Sequence, residues 1–97
     1  MVPNLQNLIE KAKEDLAQHL FISTTEINVL DVREVVWSNA SLGCPQPGMA
    51  YADVLTPGYL IILIASNINY EYHASKSSDA FYCENPDPPA EGVPGNT

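Results

Sequence analysis

Tyr59-Leu60-Ile61-Ile62-Leu63-Ile64-Ala65-Ser66-Asn67-Ile68-Asn69-Tyr70-Glu71-Tyr72-His73-Ala74 is the stretch on which the fold of this chain turns. Residues 59–64 are apolar without interruption, the pattern of a strand buried on both faces and therefore central in a sheet. Asn67-Ile68-Asn69 can supply the positive φ values of a hairpin turn. After it Tyr70, Tyr72 and Ala74 alternate with Glu71 and His73, the period of a half-buried strand. Just before the run, Thr56-Pro57-Gly58 has proline and glycine where a type II turn wants them.

Working outward toward the N-terminus, residues 27–37 are rich in branched side chains but keep no single alternation. Ile27 and Val29 would share a face with Val35 and Trp37, yet Asp31 and Arg33 lie between them, so a bulge or bend is predicted. Ser23-Thr24-Thr25-Glu26 matches a capping box with room for one helical turn, because β-like residues follow at once. Over residues 5–20, Leu5, Leu8, Ile9, Ala12, Leu16 and Leu20 recur at three- and four-residue steps, with Glu10, Lys11, Lys13, Glu14 and Asp15 opposite. This is an amphipathic helix, with Pro3 and Asn4 as its start signal and His19 in the last turn, where a cation complements the helix dipole.

Toward the C-terminus, polar residues 75–79 precede a short strand over residues 80–83, which puts Cys83 at a strand end. Residues 85–97 are dominated by proline and glycine and are expected to form a disordered tail. The predicted architecture is α+β: an N-terminal amphipathic helix packed on a small, mainly antiparallel sheet of three to four strands, with a long Pro/Gly loop. Residues 1–84 form the single domain and residues 85–97 the tail.

A chain of 97 residues fits one core that is adequate rather than generous, so reinforcement helps. Its two cysteines, Cys44 and Cys83, offer one pairing. A disulfide there closes a loop of about 40 residues, for which the chain-entropy relation gives roughly 4 kcal/mol of stabilisation. The alternative is two independent buried thiols acting as small core hydrophobes. A disulfide persists only in an oxidising compartment, so this reading and an extracytoplasmic location stand together.

Four basic against twelve acidic side chains give a formal net charge of −8, which opposes phosphate backbones and excludes nucleic acid as an expected partner. The longest apolar run, residues 59–65, is strand-sized, so membrane insertion is not expected. The given sequence begins without a charged segment followed by an apolar one, and Met1-Val2-Pro3 reads equally as a native start or as an initiator on a domain whose leader was removed. The oligomeric state is not legible.

Catalytic and metal chemistry find little to rest on. The order His19, Cys44, His73, Cys83 contains none of the close pairs that zinc sites use, so no metal or cofactor is expected. Cys44 precedes a proline and has no orienting third group, which argues against a Cys44–His73 thiol catalyst. Asp31, Asp53, Glu71 and Glu84 show no pairing spacing, and Gly43 and Gly48 flank two prolines that remove the backbone donors a phosphate loop needs. The chain is not expected to be an enzyme. Asn39-Ala40-Ser41 has the form of a glycosylation sequon and is read as chance.

The informative segment is Trp37-Ser38-Asn39-Ala40-Ser41-Leu42-Gly43-Cys44-Pro45-Gln46-Pro47-Gly48-Met49-Ala50-Tyr51. Two prolines fix φ, glycines permit reversals, and a bond at Cys44 would remove most remaining freedom. Leu42, Gly43, Pro45, Gln46, Pro47, Gly48, Met49 and Tyr51 are the candidate binding residues, since a pre-ordered loop loses less entropy on binding. The competing reading folds the loop inward, with Leu42, Met49 and Tyr51 covering an open end of the core.

Trp37, then Ala40-Ser41-Leu42-Gly43-Cys44-Pro45-Gln46-Pro47-Gly48-Met49-Ala50-Tyr51, Thr56-Pro57-Gly58-Tyr59, Tyr70-Glu71-Tyr72-His73 and a final Cys83 make a pattern that resembles a family of small uncharacterised bacterial proteins. Members often look like exported proteins or lipoproteins, which implies an extracytoplasmic setting and no settled activity. Ser38-Asn39 departs from that pattern, where proline and aspartate are more usual. Gly43-Cys44-Pro45-Gln46 is also similar to protease inhibitors that place a cysteine and proline before the reactive bond, although Pro47 after Gln46 fits a substrate-like loop poorly. The expected function is a non-catalytic, extracytoplasmic, protein-binding module presenting a disulfide-constrained loop. Protease inhibition through Cys44-Pro45-Gln46 and a structural domain of a larger exported assembly are the alternatives.

Overall fold

The structure is a computed structural model that describes residues 5–84, 86 and 91–92. Helix α1 (Leu5–Leu20) leads through a 3-10 turn (Thr24–Glu26) into strands β1 (Asn28–Trp37), β2 (Thr56–Ala65), β3 (Ile68–Ser75), β4 (Phe81–Tyr82) and β5 (Glu91–Gly92). The sheet is antiparallel throughout, in the order β4-β3-β2-β1-β5. The apolar run is thus central, as its composition requires. Pro3 and Asn4 lie outside the described residues. So does the expected tail, apart from Pro86 and Glu91–Gly92, and Glu91 and Gly92 pair with Val36 and Val35 at the β1 edge.

The helix buries Leu8, Ala12, Leu16 and Ala17 against Ile61, Leu63 and Ala65 of β2 and Tyr72 and Ala74 of β3. Leu8, Ile61 and Leu63 are fully buried, each worth about 1.5–3 kcal/mol of transfer free energy. Tyr72 crosses this layer and its hydroxyl donates to Asp15 Oδ2 on the helix at 2.7 Å. The helix ends on Phe21 with φ 57°, and Ile22 N donates to the Ala17 carbonyl at 3.1 Å. That is the Schellman closure, here with phenylalanine where glycine is usual. The capping box of the next turn is formed: Ser23 N donates to Glu26 Oε2 at 2.9 Å and Ser23 Oγ accepts from Thr25 N.

Two turn expectations need correction, and so does the face assigned to Ile27 and Val29. The hairpin turn uses Ser66 and Asn67, with φ 52° and 65°, and Ile68 and Asn69 already belong to β3. Two consecutive positive φ values give the primed turn that matches strand twist, and this two-residue turn fixes Ala65 opposite Ile68. Thr56-Pro57-Gly58 is strand rather than turn, paired with Trp37, Val36 and Val35. Proline is tolerated there because it stands near the start of the strand. The bulge expected in β1 lies between Val29 and Asp31, leaving Leu30 as the extra residue. It inverts the alternation, so Ile27 packs in the helix-side core while Val35 and Trp37 face the other way.

Candidate functional site

The sheet face opposite the helix carries Val35, Trp37 and His73, all buried. Trp37 reaches across the neighbouring strand, and its Nε1 donates to the Ala74 carbonyl at 3.0 Å. It passes over Gly58, where a Cβ would lie 2.0 Å from that carbonyl oxygen and 2.8 Å from Nε1. Glycine is required at position 58 by close approach.

The Trp37 indole stacks on the His73 imidazole, centroids 4.4 Å apart and planes 19° from parallel. His73 is fully buried, yet both ring nitrogens are engaged. Nδ1 lies 2.6 Å from the Leu42 carbonyl oxygen. A carbonyl only accepts, so Nδ1 carries a proton and donates. Nε2 lies 2.9 Å from Glu71 Oε1, a contact that needs one proton between the two groups. The buried imidazole is thus satisfied at both nitrogens, one by a backbone carbonyl and one by a partly exposed carboxylate.

The Leu42 carbonyl is presented by two tight turns. Asn39 Oδ1 accepts from Ser41 N at 2.9 Å, and Leu42 N donates to the Asn39 carbonyl. Cys44 N donates to the Ser41 carbonyl at 3.1 Å, with φ 57° at Leu42 and 72° at Gly43. A left-handed leucine costs about 1–2 kcal/mol. The His73 hydrogen bond on one side and the cysteine on the other hold it there. Cys44 is bonded to Cys83, with Cα atoms 5.8 Å apart, and Cys83 N donates to the Glu71 carbonyl at 2.9 Å. Glu71 therefore ties the histidine through its side chain and the disulfide through its backbone. Both sulfurs are consumed, so neither cysteine offers a thiolate to a metal or a substrate.

The loop divides at Cys44. Ser41, Gly43 and Cys44 are buried and Leu42 partly so, forming a root packed on the sheet. Pro45, Gln46, Pro47, Gly48, Met49 and Ala50 are all exposed and form a crown. Met49 N donates to the Gln46 carbonyl at 3.2 Å, with Pro47 first and Gly48 (φ 81°) second between them, the type II signature. Tyr51, half-buried, accepts from Gln46 N through its hydroxyl at 3.0 Å. Ala40 N donates to the Ala52 carbonyl at 3.0 Å and closes the neck. Of the eight candidate binding residues, Pro45, Gln46, Pro47, Gly48 and Met49 face solvent, Leu42 and Gly43 belong to the root, and Tyr51 braces the crown from below.

Sequence reasoning missed His73, Glu71 and Gly58 as the parts that anchor the root. The signal for His73 was its place in the alternation: next to Tyr72 on a strand beside the centre, it had to lie on the face away from the helix, where a buried histidine needs two partners. Asn39 and Ser41, read as a chance sequon, serve the turn instead, and Ser41 is 6% exposed.

Fold and site define a class, an α+β domain with a helix on one sheet face and a disulfide-anchored loop on the other. Residues 9–83, which include both cysteines, match the family described as Domain of unknown function (DUF8738), and the chain belongs to that family. No curated protein matches it. No solved structure matches it either.

Proposed function

We propose that this chain is an extracytoplasmic, non-catalytic interaction module that uses the crown of the loop, residues 45–50, to bind a partner protein. The observation that carries this reading is the division at Cys44, a rigid exposed turn standing on a root held by a disulfide and a buried histidine. Met49 is 63% exposed at the crown, and Val54 and Leu55 on the returning limb are 54% and 62% exposed. Apolar side chains on a pre-ordered loop bind with little further loss of entropy. The disulfide supports an oxidising compartment: secreted, periplasmic or as the domain of a lipoprotein. No helix among the described residues is long and apolar enough to cross a membrane.

The inhibitor alternative draws less support, because Gln46 opens a tight turn whereas a substrate-like loop is extended. The test is to replace Gln46-Pro47-Gly48-Met49 by a Gly/Ser tetrapeptide, leaving the root intact, and to compare cross-linked partners with those of the wild type. Loss of specific partners with unchanged Trp37 fluorescence supports the reading. An unchanged partner set on an intact fold rejects it.

A further inference from the structure

Between the crown and β4 lies a groove of about 190 Å3, lined by Cys44, Pro45, Gln46, Pro47, Tyr82 and Glu84. Pockets that enclose small-molecule ligands run to roughly 300–1,000 Å3. This one has room for a single side chain. Pro45 and Pro47 give it rigid apolar walls. Tyr82 is 37% exposed and is held by ring contacts to Tyr70 and Tyr72, at 6.0 and 5.8 Å between centroids. Glu84 adds a carboxylate that has no hydrogen bond or ion pair among the described residues. The Cys44–Cys83 bond joins the loop side of the groove to the β4 side and fixes its width.

Among the described residues, no cation fills this groove. Lys11 pairs with Asp79, Arg33 with Asp31, and Lys76 with Glu34. Lys13, the remaining basic residue, lines a different groove beside the helix. Apolar walls, an aromatic face and an unpaired carboxylate, on a chain of net charge −8, ask for a long side chain with a cationic end. A planar guanidinium stacks on a tyrosine ring while it pairs with a carboxylate, which an ammonium does less well. We infer that the groove receives an arginine side chain of the partner protein, its stem along Pro45 and Pro47 and its guanidinium on Tyr82 and Glu84. The inference rests on the crown being an interaction surface and names the chemistry of what it meets.

The test is an amide NMR titration with N-acetylargininamide, with N-acetylcitrullinamide as the neutral isostere. Saturable shifts confined to Cys44, Gln46, Tyr82 and Glu84 are expected from the arginine compound and not from citrulline. Glu84→Gln should weaken binding about five-fold, the effect of one exposed ion pair. Glu14→Gln, the same charge change on α1, should leave it unchanged. Equal shifts from citrulline, unsaturable shifts spread over the acidic surface, or equal weakening by both variants would overturn the inference. A partner lost by crown replacement but held fully by Glu84→Gln also overturns it while the interaction reading stands. A groove that binds the arginine compound, on a chain whose crown replacement releases no partner, sinks the interaction reading instead.

Discussion

His73 Nδ1 donates to the carbonyl oxygen of Leu42 across 2.6 Å, so a fully buried imidazole holds the backbone of a leucine whose φ is 57°. The bond joins the second face of the sheet to the root of the loop, two residues before Cys44, whose disulfide does the same. His73→Phe keeps the ring stacked beneath Trp37 and removes both hydrogen bonds. It should cost about 2 kcal/mol, the penalty for a buried carbonyl left without a donor. Urea unfolding reads the loss, and amide exchange should quicken first at Leu42 and Cys44.

Gly58→Ala tests the close approach of Trp37. The added methyl meets a backbone carbonyl at 2.0 Å, which no rotamer change relieves. Strand β3 must move away from position 58, carrying the Ala74 carbonyl off the indole, and the variant should lose about 3 kcal/mol, the upper range for overpacking. The indole N–H resonance of Trp37 would move toward its solvent-exposed position. A resonance that stays in place would show that the Trp37–Ala74 bond does not depend on the close approach at Gly58.

Phe21→Gly should stabilise the protein by about 0.5–1 kcal/mol in thermal unfolding. Phe21 is 93% exposed, so its ring contributes nothing to the core, and its φ of 57° is one that glycine adopts without strain. The gain is reduced by the entropy glycine adds to the unfolded chain. A loss on substitution would mean that Phe21 makes a contact the fold depends on.

Tyr72 gives a pH dependence. Its phenol is pushed well above its ordinary value, first by burial and then by the Asp15 carboxylate that accepts its hydrogen bond. The folded state thus holds this proton more tightly than the unfolded chain. Above about pH 10 the native state binds more protons than the unfolded state, so stability falls as pH rises from there. Tyr72→Phe should cost about 1 kcal/mol at neutral pH. The deficit should shrink above pH 10, because the variant lacks this titration. A constant deficit across that range contradicts the linkage.

The helix and the central hairpin were legible because each follows one period over many residues. Leu8, Ala12 and Leu16 mark one stripe, and the apolar run over residues 59–64 left no solvent face for β2. The bulge in β1 was legible as a broken alternation, but which residue was extra was not, since this depends on the partner strand. Gly58 was read as a turn residue because local chemistry favours Pro-Gly there, and the demand that fixes it comes from Trp37, twenty-one positions away in sequence. The division of the loop into root and crown was hidden for the same reason. It is set by His73 and Cys83, and nothing within residues 42–51 says which half they hold.

The central claim is that the crown is rigid because its root is anchored, and backbone 15N relaxation at Gln46, Gly48 and Met49 tests it most directly. In the oxidised protein these amides should have order parameters near those of β2, about 0.85, and on reduction of Cys44–Cys83 they should fall below about 0.6. Order parameters already below about 0.6 in the oxidised protein, or unchanged on reduction, would contradict the account.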